Sequence, residues 1–199
     1  MGTTNDAASS MEHRIVSSES EELILVDDED REIGVLDKGP CHDGDGVLHR
    51  AFSLFLFNAA GQLLLQRRAR GKRLWPMYWS NSCCSHPRSG ESMDVATQRR
   101  LADELNIRAS LEFVYKFSYR ARFGSEGSEN ELCSVYLGRC SDEVIANRSE
   151  IEAVRFVDSE ALARELDVDA STFTPWFRME WDCLNRDYAS ILARYTGTS

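Results

Sequence analysis

The chain has 199 residues, with 33 acidic against 23 basic side chains, a formal net charge of −10 and a pI near 4.9. That balance argues against a nucleic-acid or anionic-membrane partner and makes any local gathering of positive charge informative. The length suits one domain with a sizeable core, and the longest apolar run, AFSLFLF, fits a buried strand rather than a membrane span.

Residues 1–20 are rich in Ser and Glu, without an apolar segment or a basic amphipathic one, so a flexible extension is expected rather than a signal or transit peptide. A single domain is expected over 21–199. In it ELILVDDED and REIGVLDK read as two strands around an acidic turn, and GPCHDGDG reads as a loop. AFSLFLFNAAGQLLLQRR reads as a β-hairpin, with Asn58 and Gly61 in its connection. The segment 91–105 lacks Pro and Gly and follows Ser89-Gly90, which predicts a helix. LEFVYKFSYRA, ELCSVYLGRC and IEAVRFVD read as strands, and a short helix is expected from Ser159 to Leu166. Thr174 as N-cap and Pro175 at the first helical position open a last helix over about 175–195, with Phe177, Trp181, Leu184, Tyr188, Ile191 and Tyr195 on one stripe. Strands and helices interleave without a steady βαβ beat, so the expected fold is α/β (α+β), a mixed sheet between helices.

Six cysteines, Cys41, Cys83, Cys84, Cys133, Cys140 and Cys183, show no CxxC pair, which points to a reduced, cytoplasmic compartment. WSNSCCSHPRSGE sets Cys83 and Cys84 side by side, an arrangement in which neighbours rarely bridge. The four histidines are His13, His42, His49 and His86, three of them near acidic or cysteine residues. In ENE, Glu129 and Glu131 point to the same face if Glu131 opens a strand, and two carboxylates side by side call for a cation or a shared proton. A solvated acidic turn is the plainer alternative. With three histidines the two carboxylates make a His3Glu2 set suited to Mn2+ or Zn2+. QRRARGKR gathers Arg67, Arg68, Arg70, Lys72 and Arg73, which reads either as a solvated loop or as a clamp for a small polyanion. No Gly-rich dinucleotide fingerprint is present, so neither flavin nor nicotinamide is expected.

SHPRSGESMDVATQRRLADELNI resembles a degraded Nudix box: Glu91, Arg99, Leu101, Asp103, Glu104 and Ile107 fall in register. Ser85, Arg100 and Asn106 replace a glycine, a glutamate and a glycine, which leaves a poorer hydrolase. Together LDKGPCH, LHRAF, RRARGKRLWP, WSNSCCSHP, YRA, ENE and FTPWF closely resemble the type I isopentenyl diphosphate isomerases, a Nudix-fold family, over about residues 22–195. The resemblance implies a Nudix core over about 47–180, with His42, His49, His86, Glu129 and Glu131 as ligands of Mn2+ or Zn2+. It implies Glu104, with Cys84, as the site of a Mg2+ that accompanies the substrate. Lys38, Arg68, Lys72 and Arg100 match diphosphate-binding positions, and Tyr119 and Trp176 match aromatics beside the hydrocarbon. The expected reaction moves protons on carbon: Glu131, backed by Tyr119, donates one, and Cys84 removes another as a thiolate whose pKa the metal and basic loop lower. Trp176 stabilises the cation through its ring face. Cys83 is a structural neighbour. A Nudix-type diphosphate hydrolase and a structural zinc module are the competing readings, and both monomer and homodimer stay open.

Overall fold

Strand β3 (His49–Phe57) runs through the middle of the molecule with nearly every residue buried, as a continuous apolar run predicts for a strand covered on both faces. The structure is a computed structural model that describes residues 14–141 and 143–197; His13 lies outside them. Alternation divides the β3 side chains between two cores. Phe52, Leu54 and Leu56 pack with Leu101 and Leu105, and Ala51, Phe55 and Phe57 pack with Phe177, Trp181 and Leu184.

The predicted acidic turn joins β1 (Glu22–Val26) to β2 (Glu32–Asp37), and the GPCHDGDG segment opens with one helical turn, α1 (Lys38–Cys41). The turn after β3 forms as expected: Asn58 Oδ1 accepts from the N–H groups of Ala60 and Gln62 at 3.1 and 2.9 Å. The hairpin itself does not. β3 and β4 (Leu63–Arg68) pair only at Phe57 and Leu63, then splay apart. Ser82 is the wedge, for its hydroxyl accepts from Leu56 N–H at 2.8 Å and donates to Leu64 C=O at 2.6 Å. The segment carrying it supplies β5 (Trp79–Ser80) to β4 and β6 (Cys83–Ser85) to β3.

Helix α2 (Met93–Leu105) is capped by Ser92, whose hydroxyl accepts from Val95 N–H at 3.4 Å, and ends at Asn106 in the left-handed region, φ 54°. β7 (Leu111–Phe123) and β8 (Gly127–Arg139) form a long antiparallel pair, and β8 lies parallel to β3 over its whole length. β9 (Ile151–Val157) pairs with β4 and leads into α3 (Ser159–Asp169). The last helix is two: α4 (Pro175–Asp187) and α5 (Ala189–Thr196) meet at Tyr188, φ −124°. Thr174 sits at the N-cap of α4, but its hydroxyl makes no cap; it bonds Ser80 Oγ at 2.9 Å. The extension expected over 1–20 is anchored in its described part. Val16 is buried, and its carbonyl accepts from Arg100 Nη1 at 2.8 Å.

Candidate active site

Residue pairing across three strands builds the site. Glu131 stands inside β8, not at its start, opposite Tyr119 of β7 and beside His49 of β3. Glu129, two residues earlier, therefore presents its side chain on the same face. The start of β8 passes so near α1 that a Cβ on Gly127, φ 145°, would lie 2.3 Å from the His42 carbonyl oxygen. That approach seats His42 against Glu129, with Nε2 and Oε2 2.9 Å apart. His86, just past β6, places Nε2 2.9 Å from Glu131 Oε1.

The potential ligand atoms of His42, His49, His86, Glu129 and Glu131 all lie within 4.8 Å of one another. His42 Nδ1 bonds the Lys38 carbonyl at 2.6 Å and His49 Nδ1 bonds the Val47 carbonyl at 2.7 Å, so both rings turn Nε2 inward. His49 Nε2 and Glu129 Oε2 are buried without a hydrogen-bond partner, even though Glu129 Oε2 lies within contact of His42. Burial opposes charge on His49, yet the Cys41 thiol and the Glu131 carboxylate push it up to about 10. Burial and then His49 and His42 hold His86 well below the usual imidazole range. The cluster thus gathers two carboxylates and three imidazoles around one point. A divalent cation fits this donor set.

Cys84 lies opposite Ser53 in the β3–β6 register and packs on the core formed with α4, whereas Cys83 turns into the other core. The protein's own groups do not by themselves lower the Cys84 pKa. Burial pushes the thiol up to about 12, Arg68 pulls it down, and Glu104, Glu131 and Glu180 push it further up. Burial, the largest of these influences, disfavours the thiolate. For Glu131 burial works upward, but His49 beside it, and the Tyr119 hydroxyl donating to Oε2 at 2.6 Å, hold it below the usual carboxylate range.

Lys38, Arg68, Lys72 and Arg100 line the same cleft as Cys84, Glu131, Tyr119 and Trp176. Arg68 Nη1 is 3.8 Å from Cys84 Sγ, and its guanidinium carbon lies 5.2 Å from the centre of the Trp176 ring. The other Arg68 donors bond the carbonyls of Leu74 and Trp75, in a loop where Trp75 and Met77 adopt φ 47° and 68°, strained for bulky side chains. Lys38 Nζ bonds Ser17 Oγ at 2.6 Å, and burial, then Lys72 and Arg100, lower its pKa to about 8. Glu104 is not among the clustered ligands. Its Oε1 accepts from Arg100 at 2.7 Å in an i,i+4 ion pair with both residues buried.

Sequence reasoning missed two buried glutamates. Glu150 bonds Lys72 and Arg100, and Glu180, on α4, faces Cys133 with an unpartnered Oε2. Both had only local context in the sequence, one in a polar loop and one on a helix face.

A NUDIX domain matches residues 47–177. The isopentenyl-diphosphate Delta-isomerase of Burkholderia multivorans is 42% identical over 79% of this chain and 89% of its own length. The Isopentenyl-diphosphate Delta-isomerase 1 of Photorhabdus laumondii is 38% identical over 81% of this chain and 93% of its own. The crystal structure of the MutT protein from Methanosarcina mazei Go1 is similar in fold, with a TM-score of 0.59 and 17% identity over 71% of this chain and 95% of that one.

Proposed function

Because this chain belongs to the isopentenyl-diphosphate Delta-isomerase family of NUDIX-domain proteins, we infer that its cleft interconverts isopentenyl and dimethylallyl diphosphate. The observation that carries the reading is one cleft lined both by a proton-transfer pair, Cys84 and Glu131, and by four basic side chains. Lys38, Arg68, Lys72 and Arg100 would hold the diphosphate. In the forward direction a proton is added at the terminal methylene and another leaves C2. No electrons are gained or lost, so no flavin or nicotinamide takes part.

Glu131 in its acid form donates the first proton, with the Tyr119 hydroxyl fixing the orientation of its carboxyl group. Cys84 as thiolate removes the second, and Trp176 and Tyr119 face the tertiary cation between the two transfers. His42, His49, His86, Glu129 and Glu131 would hold Mn2+ or Zn2+, and Glu104 with Cys84 the substrate's Mg2+. A cation at the histidine cluster supplies the positive charge that favours the Cys84 thiolate. No helix among the described residues is long and apolar enough to cross a membrane. Cys41, Cys83, Cys84, Cys133 and Cys183 carry free thiols, which fits a reduced, cytoplasmic setting.

A NUDIX hydrolase would drive water at phosphorus, but the helix that would gather metal for it carries Arg100 buried against Glu104. The two readings part in deuterated water. The isomerase exchanges label into both C5 diphosphates and releases negligible phosphate. Steady phosphate release without deuterium on carbon would promote the hydrolase.

A further inference from the structure

We propose that Glu150 is the positioning residue of the diphosphate clamp, its buried carboxylate bridging Lys72 and Arg100 so that both stay aimed at the cleft whether or not Glu104 is engaged elsewhere. The inference rests on the diphosphate reading of the cleft. Glu150 is only 3% exposed, and its Oε2 accepts from Lys72 Nζ and, at 3.3 Å, from Arg100 Nη2. Lys72 comes from the basic loop after β4 and Arg100 from α2, so this oxygen joins two elements.

That backbone is fixed on both sides. Glu150 N–H bonds the Asn147 carbonyl at 3.0 Å, and the Glu150 carbonyl accepts from Ala69 N–H at 2.9 Å. Asn147 N–H in turn bonds the Glu104 carbonyl at 2.8 Å, and Ile151, the next residue, pairs with Arg68. The carboxylate is therefore placed by the chain itself rather than drawn in by the cations. A glutamate set on a rigid junction orients what it binds.

Two physical needs are met there. Lys38, Lys72 and Arg100 repel one another, as the downward pull of the other two on Lys38 shows, and a fixed anion among them keeps an unliganded clamp from opening. Burial works against the charge on Glu150, but Lys72 and Arg100 hold its pKa at about 2, so the anion persists through the physiological range. Arg100 has a second carboxylate partner in Glu104, the residue expected to take Mg2+ with the substrate. When Glu104 turns to that ion, Glu150 is the partner that keeps the Arg100 fork from swinging.

The test uses inorganic pyrophosphate with Mg2+ as a non-reacting probe, measured by titration calorimetry on the full chain. Glu150→Gln is expected to weaken pyrophosphate binding about tenfold, equivalent to one charge-assisted hydrogen bond. KM for isopentenyl diphosphate should rise in step, with kcat within about twofold and manganese content of the histidine cluster unchanged. Glu150→Asp, which keeps the charge and shortens the reach, should fall between the two and decides the matter if the glutamine variant does not fold. Pyrophosphate bound as tightly or more tightly by the variants overturns the proposal. So do parallel losses of kcat, manganese and melting temperature, which mark a fold defect. A parent chain that isomerises without binding pyrophosphate also overturns it and leaves the isomerase reading standing. Glutamate-dependent pyrophosphate binding in a chain that does not isomerise supports the clamp and removes the isomerase.

Discussion

Cys83 and Cys84 are adjacent in sequence and sit in different chemical worlds, because side chains alternate along β6. Cys83 is fully buried beside Leu54, Leu101 and Ile151, whereas Cys84 lines the cleft next to Arg68. If Cys84 is the base proposed above, Cys84→Ser should therefore lower kcat by about 10³-fold, since a hydroxyl of nearly the same size is a far weaker base than a thiolate. Cys83→Ser should leave kcat within about threefold and lower stability by about 1–2 kcal/mol, the cost of a buried hydroxyl. Steady-state rates and urea melts on both variants check this; the opposite pattern reassigns the working cysteine. The family resemblance of WSNSCCSHP pointed to Cys84, and the histidines and ENE were legible as a ligand set. The thiol's raised pKa was not, because it comes first from burial in the folded core, with Glu104, Glu131 and Glu180 adding to it from α2, β8 and α4. Charge at a site is a sum over distant segments.

At the scale of elements, existence was easier to read than pairing. Alternation and apolar runs marked the longer strands, and the Ser89-Gly90 pair together with the lack of Pro and Gly after it marked α2. The β3–β4 hairpin was overturned by tertiary context: its turn residues do what turn chemistry predicts, yet Ser82 enters one residue beyond the pair they close. The single C-terminal helix was also overturned, since the apolar stripe runs on through Tyr188 with no Pro or Gly to mark the break. Ser82 is fully buried, and Ser82→Ala strands both an N–H and a C=O in the core. It should destabilise by about 2–4 kcal/mol in urea denaturation, a large effect for the loss of one oxygen. A change below about 0.5 kcal/mol would mean the strands close over the gap by pairing directly.

For the whole molecule the hardest group to accommodate is Glu180, a carboxyl group with no exposure and no ion pair among the described residues. Burial pushes its pKa up to about 8, Ser53 and Cys133 draw it down by hydrogen bonding, and the Glu131 charge adds to the rise. The group binds its proton more tightly folded than unfolded. Its contribution to stability is therefore complete below the ordinary glutamate pKa of 4.5 and is lost as pH rises through about 8. The melting temperature should fall by several degrees between pH 7 and 9, and Glu180→Gln should remove most of that fall. An unchanged alkaline slope in the variant would show the carboxyl group ionises without cost. The parallel β3–β8 pairing carries a consequence of another kind, in time. His49 and Glu131 become neighbours only when strands from distant parts of the chain close on each other, with β4 to β7 already threaded between them in sequence. Such closure is slow and comes late, after local hairpins such as β1–β2 have formed. A chain still emerging from synthesis holds its histidines and glutamates far apart. The site is born with the finished sheet, and a partly made molecule has no means of gripping the ion or the substrate ahead of time.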